Sequence, residues 1–135
     1  MKNEEKKEYL NEYKYACKKL VALQEQLESI REVEQNAKVQ TLSDMPKGSS
    51  QRDLSDLLVR IENLEEKIDK AMMKCLEKKL EIEEALNCIQ DEDEARVLRY
   101  RYIRFMKWEE IGKKMDYSIR QVLYIHGRAL KNFEY

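Results

Sequence analysis

Residues 108–127 read WEEIGKKMDYSIRQVLYIHG, and this segment is the most informative in the chain. Its apolar residues recur three or four positions apart on both sides of Asp116-Tyr117, which predicts a short helix, a tight turn and a second helix. Ser118, with Gln121 three residues later, has the spacing of a capping box that would start the second helix. This is the pattern of a helix-turn-helix, whose second helix enters the major groove of DNA.

The details of the segment agree with that interpretation. Ile111 and Met115 lie one helical turn apart and are predicted to face a core, and Gly112 is the small residue expected where two helices cross closely. The turn position that usually holds glycine is Asp116, which tolerates a left-handed backbone better than most residues. Lys107 is a weak N-cap for the first helix. The inward positions of the second helix are Val122, Ile125 and Ala129.

Periodicity then assigns the opposite face of the second helix to solvent. The side chains expected there are Ile119, Arg120, Gln121 and Tyr124. Arginine and glutamine suit bidentate contacts with guanine and adenine edges, so this face is predicted to read DNA bases. A second group of cations is better placed for phosphates, which set affinity and register. That group is Lys107, Lys113, Lys114, Arg128 and Lys131.

Charge is distributed unevenly along the chain. Residues 1–90 carry 16 basic and 19 acidic groups, whereas residues 95–131 carry 10 basic and 3 acidic groups. A basic local field attracts phosphate backbones whatever the net charge of the whole protein. Double-stranded DNA is therefore the expected partner of the C-terminal head, residues 91–135. Asp91 and Glu94 have capping-box spacing at its first helix, with Ala95, Leu98 and Tyr102 on one face.

The N-terminal arm, residues 1–90, carries two heptad seams. The first comprises Tyr9, Tyr13, Ala16, Leu20, Leu23, Leu27 and Ile30, and the second comprises Leu54, Ile61, Ile68, Cys75, Ile82 and Ile89. Residues from about 38 to 52 contain the only proline and are predicted to form a loop, with Ser49 or Ser50 as the N-cap of the next helix. The arm is thus predicted to be a long antiparallel, coiled-coil-like hairpin.

The fold class predicted is all-α, because the chain has only 3 glycines and 1 proline and 39% of its residues are charged. The wide second seam predicts that the arm forms a homo-oligomer, most simply a dimer. No apolar run is long enough to span a membrane. No apolar run follows the N-terminal charges either, so a signal peptide is not expected. Cys17, Cys75 and Cys88 form no CxxC pair. Reduced thiols and the cytoplasm of a bacterial host cell are therefore expected.

An enzyme is not expected. The sequence contains no paired Cys/His nucleophile, no phosphate loop and no metal-ligand cluster, so neither a cofactor nor a metal is predicted. Glu109 and Glu110 are adjacent and face different directions on a helix, so they resemble N-terminal helix charges rather than an acid/base pair. His126 is the only histidine and is interpreted as a surface or packing residue.

Residues 91–133 resemble the fourth region of bacterial sigma factors, the domain that reads the −35 promoter element. The segments that carry the resemblance are 95–102 (ARVLRYRY), 109–112 (EEIG), 115–118 (MDYS), Val122 and 128–130 (RAL). A closer resemblance is to small phage and prophage proteins of Gram-positive bacteria, which join a helical arm to a sigma-like head. It is carried by 101–103 (RYI), 108–111 (WEEI), 117–118 (YS) and 126–130 (HGRAL).

The resemblance implies a phage-type transcription regulator that acts with the host RNA polymerase, since some relatives are described as late-gene regulators. In sigma factors the promoter contacts come from the start of the recognition helix, which here is residues 118–121, with Tyr124 one turn on. The aromatic module with which sigma factors melt promoter DNA is missing, so a complete sigma factor is not expected. Two alternatives stay open: a DNA-packaging recognition subunit like a small terminase, and a structural or adaptor protein.

Overall fold

A computed structural model describes the backbone of residues 2–43 and 48–135. Side chains are described for residues 2–37 and 53–135. The described residues form helices and contain no strand, which confirms the all-α prediction with a long N-terminal helix pair. The helices are α1 (Asn3–Ser43), α2 (Gly48–Asn87), α3 (Glu92–Leu98), α4 (Trp108–Met115) and α5 (Ile119–Asn132). A π-helical segment, Arg99–Ile103, continues α3. No described helix is both long enough and apolar enough to cross a membrane.

The two long helices extend further than the sequence predicted. α1 continues to Ser43 and α2 begins at Gly48, so part of the predicted loop at 38–52 is helical. Ser49 and Ser50 therefore lie inside α2, and neither is its N-cap. Extension of an existing helix is favourable because each added residue brings one hydrogen bond. The rest of the predicted loop, residues 44–47, lies outside the described residues.

Contacts divide the chain into two compact units. The first unit joins Met1–Cys17 with Lys74–Tyr135, and the second unit is Lys18–Met73. This division does not follow the predicted boundary between residues 90 and 91. The first turns of α1 and the last turns of α2 instead share a unit with the C-terminal helices.

Two hydrophobic cores fill the first unit. The basal core consists of Leu10, Ile82, Leu86, Leu98, Tyr102, Ile103, Ala129, Leu130 and Phe133. The turn core consists of Val97, Tyr100, Ile111, Met115, Val122 and Ile125. The inward positions predicted for α4 and α5 are thus confirmed. Val97 and Tyr100 were not predicted, because a single inward face was assigned to a segment that serves both cores.

A π-helical turn lies within the stretch of chain that contributes to both cores. The amide of Arg104 donates to the carbonyl of Arg99 at 3.1 Å, which spans five residues instead of the usual four. The wider turn changes the direction of the side chains that follow. Tyr102 and Ile103 enter the basal core and Tyr100 enters the turn core, as Leu98 and Val97 of α3 do respectively.

Lys6 closes the C-terminal end of α5. It is buried, and its ammonium donates to the carbonyls of Leu130 at 2.7 Å and Lys131 at 3.2 Å. The last carbonyls of a helix have no partner within the helix and carry partial negative charge, so a lysine stabilises them. Lys6 therefore fastens α1 to α5 in the first unit.

The long helices pack along the predicted seams. In the first unit Lys78 pairs with Glu12 at 2.7 Å and Tyr9 donates to Glu81 at 3.4 Å, so α1 and α2 run antiparallel there. In the second unit Arg31 pairs with Glu65 at 2.9 Å. The second seam is buried at Ile61, Ile68, Cys75 and Ile82. The first seam is half-buried at all seven of its predicted positions.

Candidate nucleic-acid interface

A turn of three residues connects α4 to α5, and it has the predicted features. Asp116 adopts φ 60° and ψ 44°, the left-handed conformation that the sequence required at this position. The Ser118 hydroxyl oxygen accepts a hydrogen bond from the Gln121 amide at 3.1 Å and caps α5. The first helix has no side-chain cap at Lys107, as predicted. The start of α5 is thereby fixed relative to α4.

Gly112 is required by this turn. A Cβ atom at Gly112 would lie 2.8 Å from the carbonyl oxygen of Tyr117 and 3.8 Å from a methyl of Val122. The closest approach is therefore to the turn backbone, rather than to the crossing helix that the sequence suggested. Gly127, in contrast, is exposed on α5, and a Cβ atom there would meet nothing within 4 Å.

The same substitution at these two glycines should have opposite effects. We expect Gly112→Ala to destabilise the protein by about 1–3 kcal/mol, because the added methyl must displace backbone. Gly127→Ala should stabilise it by about 0.5–1 kcal/mol, since alanine is the better helix former in open space. Thermal or urea unfolding of both variants measures the difference, and the same sign at both positions would contradict the assignment.

The outer face of α5 carries the predicted base-reading residues. Ser118, Ile119, Arg120 and Gln121 are exposed, and Tyr124 is the most exposed large apolar side chain of the described residues at 66%. No described group pairs with the side chains of Arg120 and Gln121. Leu123, which the sequence did not single out, is also exposed on this helix. The free polar groups and apolar surface of this face are those that direct base contacts use.

The five predicted phosphate-contacting cations do not share one environment. Lys113, Lys114 and Lys131 are exposed and have no ion pair among the described residues, and Lys114 lies 5.6 Å from the Tyr100 ring centroid. Lys107 lines a separate cleft. Arg128 is held in an ion-pair cluster. The first three are therefore free surface cations on α4 and α5, whereas Lys107, also without an ion pair in the described part of the chain, faces the cleft and Arg128 is occupied.

Arg128 neutralises a buried carboxylate. Its guanidinium lies 3.1 Å from Glu94, whose residue is 2% exposed, and 3.2 Å from Asp91. Asn132 donates to both Glu94 oxygens, at 3.0 and 3.2 Å. A buried carboxylate needs this full set of partners because its desolvation is costly. Arg128 thus ties α5 to the start of α3, a role that sequence periodicity could not reveal.

The predicted capping box of Asp91 and Glu94 is therefore only half formed. Asp91 does cap α3, because its Oδ1 accepts from the amides of Asp93 at 2.9 Å and Glu94 at 3.2 Å. The Glu94 side chain does not reach back to Asp91 and points to α5 instead. Asp93 accepts a 2.6 Å hydrogen bond from the Tyr117 hydroxyl, which also joins α3 to the turn.

His126 is a packing residue, as predicted. Its Nε2 lies 2.8 Å from the Tyr102 hydroxyl, and its ring meets Trp108 edge-on at 4.7 Å. Burial, with smaller contributions from the charges of Lys7 and Arg101, lowers the pKa of His126 from 6.5 to about 4. Burial also raises the pKa of Tyr102 to about 12. This pair is therefore uncharged at neutral pH.

The depressed pKa of His126 predicts a loss of stability in mild acid. Between pH 6.5 and 4 the unfolded chain binds a proton that folded His126 does not, so the free energy of unfolding falls as the pH falls through this window. The expected contribution is about 2–3 kcal/mol. His126→Gln removes the titrating group, and its unfolding free energy should depend less on pH over this window than that of the parent protein. Parallel pH curves would contradict the prediction.

Comparisons with known proteins give a family but no named homologue. A family model described as "Protein of unknown function (DUF1492)" matches residues 37–134. That range contains all of α2, α3, α4 and α5. No curated protein and no solved structure matches this chain.

Proposed function

This chain belongs to the DUF1492 family, and from that starting point we propose that it is a sequence-specific DNA-binding transcription regulator of phage or prophage type. The observation that carries the proposal is the outer face of α5. Arg120 and Gln121 stand free at the start of a helix whose opposite face is buried in the turn core. Their donors and acceptors match those that guanine and adenine present in the major groove.

The surrounding cations support the same function. In this proposal, phosphates on either side of the base-reading helix are contacted by Lys113 and Lys114 on α4 and by Lys131 on α5. Such contacts hold the register of the protein on the duplex without reading its sequence. Arg128 is not among them, because its guanidinium is occupied by Glu94 and Asp91.

The protein acts together with the RNA polymerase of the host in this proposal. The support is the resemblance of residues 91–133 to sigma region four, a domain that reads promoter DNA. The chain acts as a homodimer, with the second unit as the interface. Leu58, Val59, Met72 and Met73 are each about half exposed there, in pairs spaced two heptads apart along α2.

Selection of bound duplexes from a random DNA pool near physiological salt tests the function directly. We expect an enriched motif, and a pair of half-sites in it would report the dimer. Arg120→Ala and Gln121→Ala should each lose about 1–3 kcal/mol of discrimination at one base position. Lys131→Ala is the matched control on the same helix, because it should weaken all sequences alike and lower the salt slope by about one.

Four outcomes would contradict the proposal. Unchanged specificity in both Arg120→Ala and Gln121→Ala would remove α5 as the reader of bases. Salt-sensitive retention with no enriched motif would leave phosphate attraction alone. A ring-sized mass in solution, in place of a dimer, would favour the packaging subunit, and failure to retain any duplex at low salt would favour an adaptor.

A further inference from the structure

The first unit contains a cleft that the proposed DNA contacts of α5 do not use. It has a volume of about 520 Å³ and is lined by the first turns of α1, the π-helical segment and the start of α4. This volume is in the range of small-molecule sites, roughly 300–1,000 Å³. The cleft is therefore large enough for a ligand of nucleotide size.

The walls of the cleft are basic. Lys7, Lys14, Arg101 and Lys107 line it, and no carboxylate does. Lys7 pairs with Glu4 outside the lining at 3.3 Å, and Arg101 donates to the Met106 carbonyl at 3.0 Å. Lys14 and Lys107 are exposed and have no ion pair among the described residues. These two lysines are free to bind an anion.

The cleft is also aromatic. Phe105 and Trp108 line it, with the Arg101 guanidinium 4.2 Å from the Trp108 ring centroid. Phe105 is 42% exposed although one side of its ring stacks on Tyr13 at 5.6 Å. Its φ is 57°, a left-handed conformation that is uncommon for a bulky residue and often marks functional sites. A strained backbone thus keeps an aromatic ring at the mouth of a basic cleft.

Asn11 supplies the remaining polar group. Its side chain lines the cleft and has no hydrogen bond among the described residues. An amide offers both donors and an acceptor, which is what the edge of a nucleobase requires. The Tyr102 hydroxyl and His126, which also line the cleft, are already bonded to each other and are not needed for a ligand.

We propose that this cleft binds a nucleotide. Lys14 and Lys107 hold the phosphates, the base stacks against the ring of Phe105 or Trp108, and Asn11 bonds to the base edge. An inorganic anion would leave the aromatic walls unused, and an uncharged aromatic ligand would leave the lysines unused. The nucleotide is either free in solution or an unpaired nucleotide of a single strand, and both sources present the same chemistry.

Trp108 provides the measurement, because it is the only tryptophan in the chain and lines the cleft. The intact protein is titrated with ATP, UTP, a short single-stranded oligonucleotide, a DNA duplex and inorganic pyrophosphate. Free tryptophan is titrated alongside to correct for light absorbed by the ligand. We expect saturable quenching by a nucleotide or by the single strand, and weaker binding of pyrophosphate.

Three variants locate the binding. Lys14→Ala and Lys107→Ala should each weaken the ligand about tenfold, the usual loss for one charge-assisted hydrogen bond. Lys79→Ala is the matched control, because Lys79 is exposed in the first unit but does not line the cleft. Phe105→Gly should weaken binding without unfolding the protein, since glycine adopts this φ without strain.

The outcomes separate the sources and the alternatives. Quenching by ATP or UTP supports a free nucleotide, and quenching by the single strand alone supports an unpaired nucleotide. No saturable quenching, equal affinity for pyrophosphate, quenching only by the duplex, or equal weakening by Lys79→Ala would each overturn the proposal. Arg120→Ala should leave ATP binding unchanged, so failure of the α5 interface and failure of the cleft are distinguishable.

Discussion

We expect Phe133→Ala to lower the free energy of unfolding by about 3–5 kcal/mol, the usual cost of removing a buried aromatic ring. Phe133 is completely buried in the basal core with Leu10, Ile82 and Leu86. These neighbours come from both long helices, so the cavity cannot close by moving one short segment. The loss is measured by urea denaturation at a fixed pH.

The control for this variant is Tyr124→Ala, which removes an equally large ring that is mostly exposed on α5. It should change the stability by about 0.5 kcal/mol or less, as surface substitutions usually do. An equal loss from both substitutions would mean that Phe133 does not hold the helices of the first unit together. A loss of stability confined to Phe133→Ala supports the basal core as described.

Arg128→Ala should cost about 3–4 kcal/mol. The substitution leaves the Glu94 carboxylate buried with only the Asn132 amide as a donor, and breaking one side of a buried ion pair has a cost of this order. Arg128 itself is about half exposed, so the loss comes mainly from the stranded carboxylate. Chemical denaturation at neutral pH and moderate salt measures it.

Arg128→Lys and Lys131→Ala make this test specific. Lysine keeps the charge but cannot present the Nε and Nη2 donors of Arg128 in one plane, so we expect an intermediate loss. Lys131→Ala removes an exposed charge from the same helix and should be nearly neutral for stability. If Arg128→Ala is also nearly neutral, Arg128 is a free surface cation and returns to the candidate phosphate contacts.

Local sequence patterns predicted the local structure well. The heptad seams gave the buried positions Ile61, Ile68 and Ile82 on α2. The left-handed turn at Asp116 and the cap at Ser118 are confirmed because each depends on interactions only a few residues apart. The same periodicity indicated the exposed face of α5, from which the base-reading residues were predicted.

Features that depend on distant partners were not predicted. The partners of Glu94 lie 34 and 38 residues away, and no spacing rule connects them. Phe133 follows the last periodic position of α5, so nothing local indicated its burial. The sequence pattern also counted Arg128 as a free cation, because charge counting ignores the acidic side chains that the fold brings beside it. The basic cleft was also missed, because the residues that line it come from distant parts of the sequence, residues 7–14, 101–108 and 126.

The bond from Lys6 to Leu130 has a consequence for synthesis. The two residues are separated by 124 positions, so Lys6 leaves the ribosome long before its acceptor is made. Until then, the ammonium of Lys6 lacks its acceptor, and the basal core around Leu10 lacks Ala129, Leu130 and Phe133. Contacts of such long sequence separation form late, because the chain entropy of a large loop must be overcome first. Nascent chains that end before Leu130 should therefore be protease-sensitive around Lys6 and become resistant once α5 is complete.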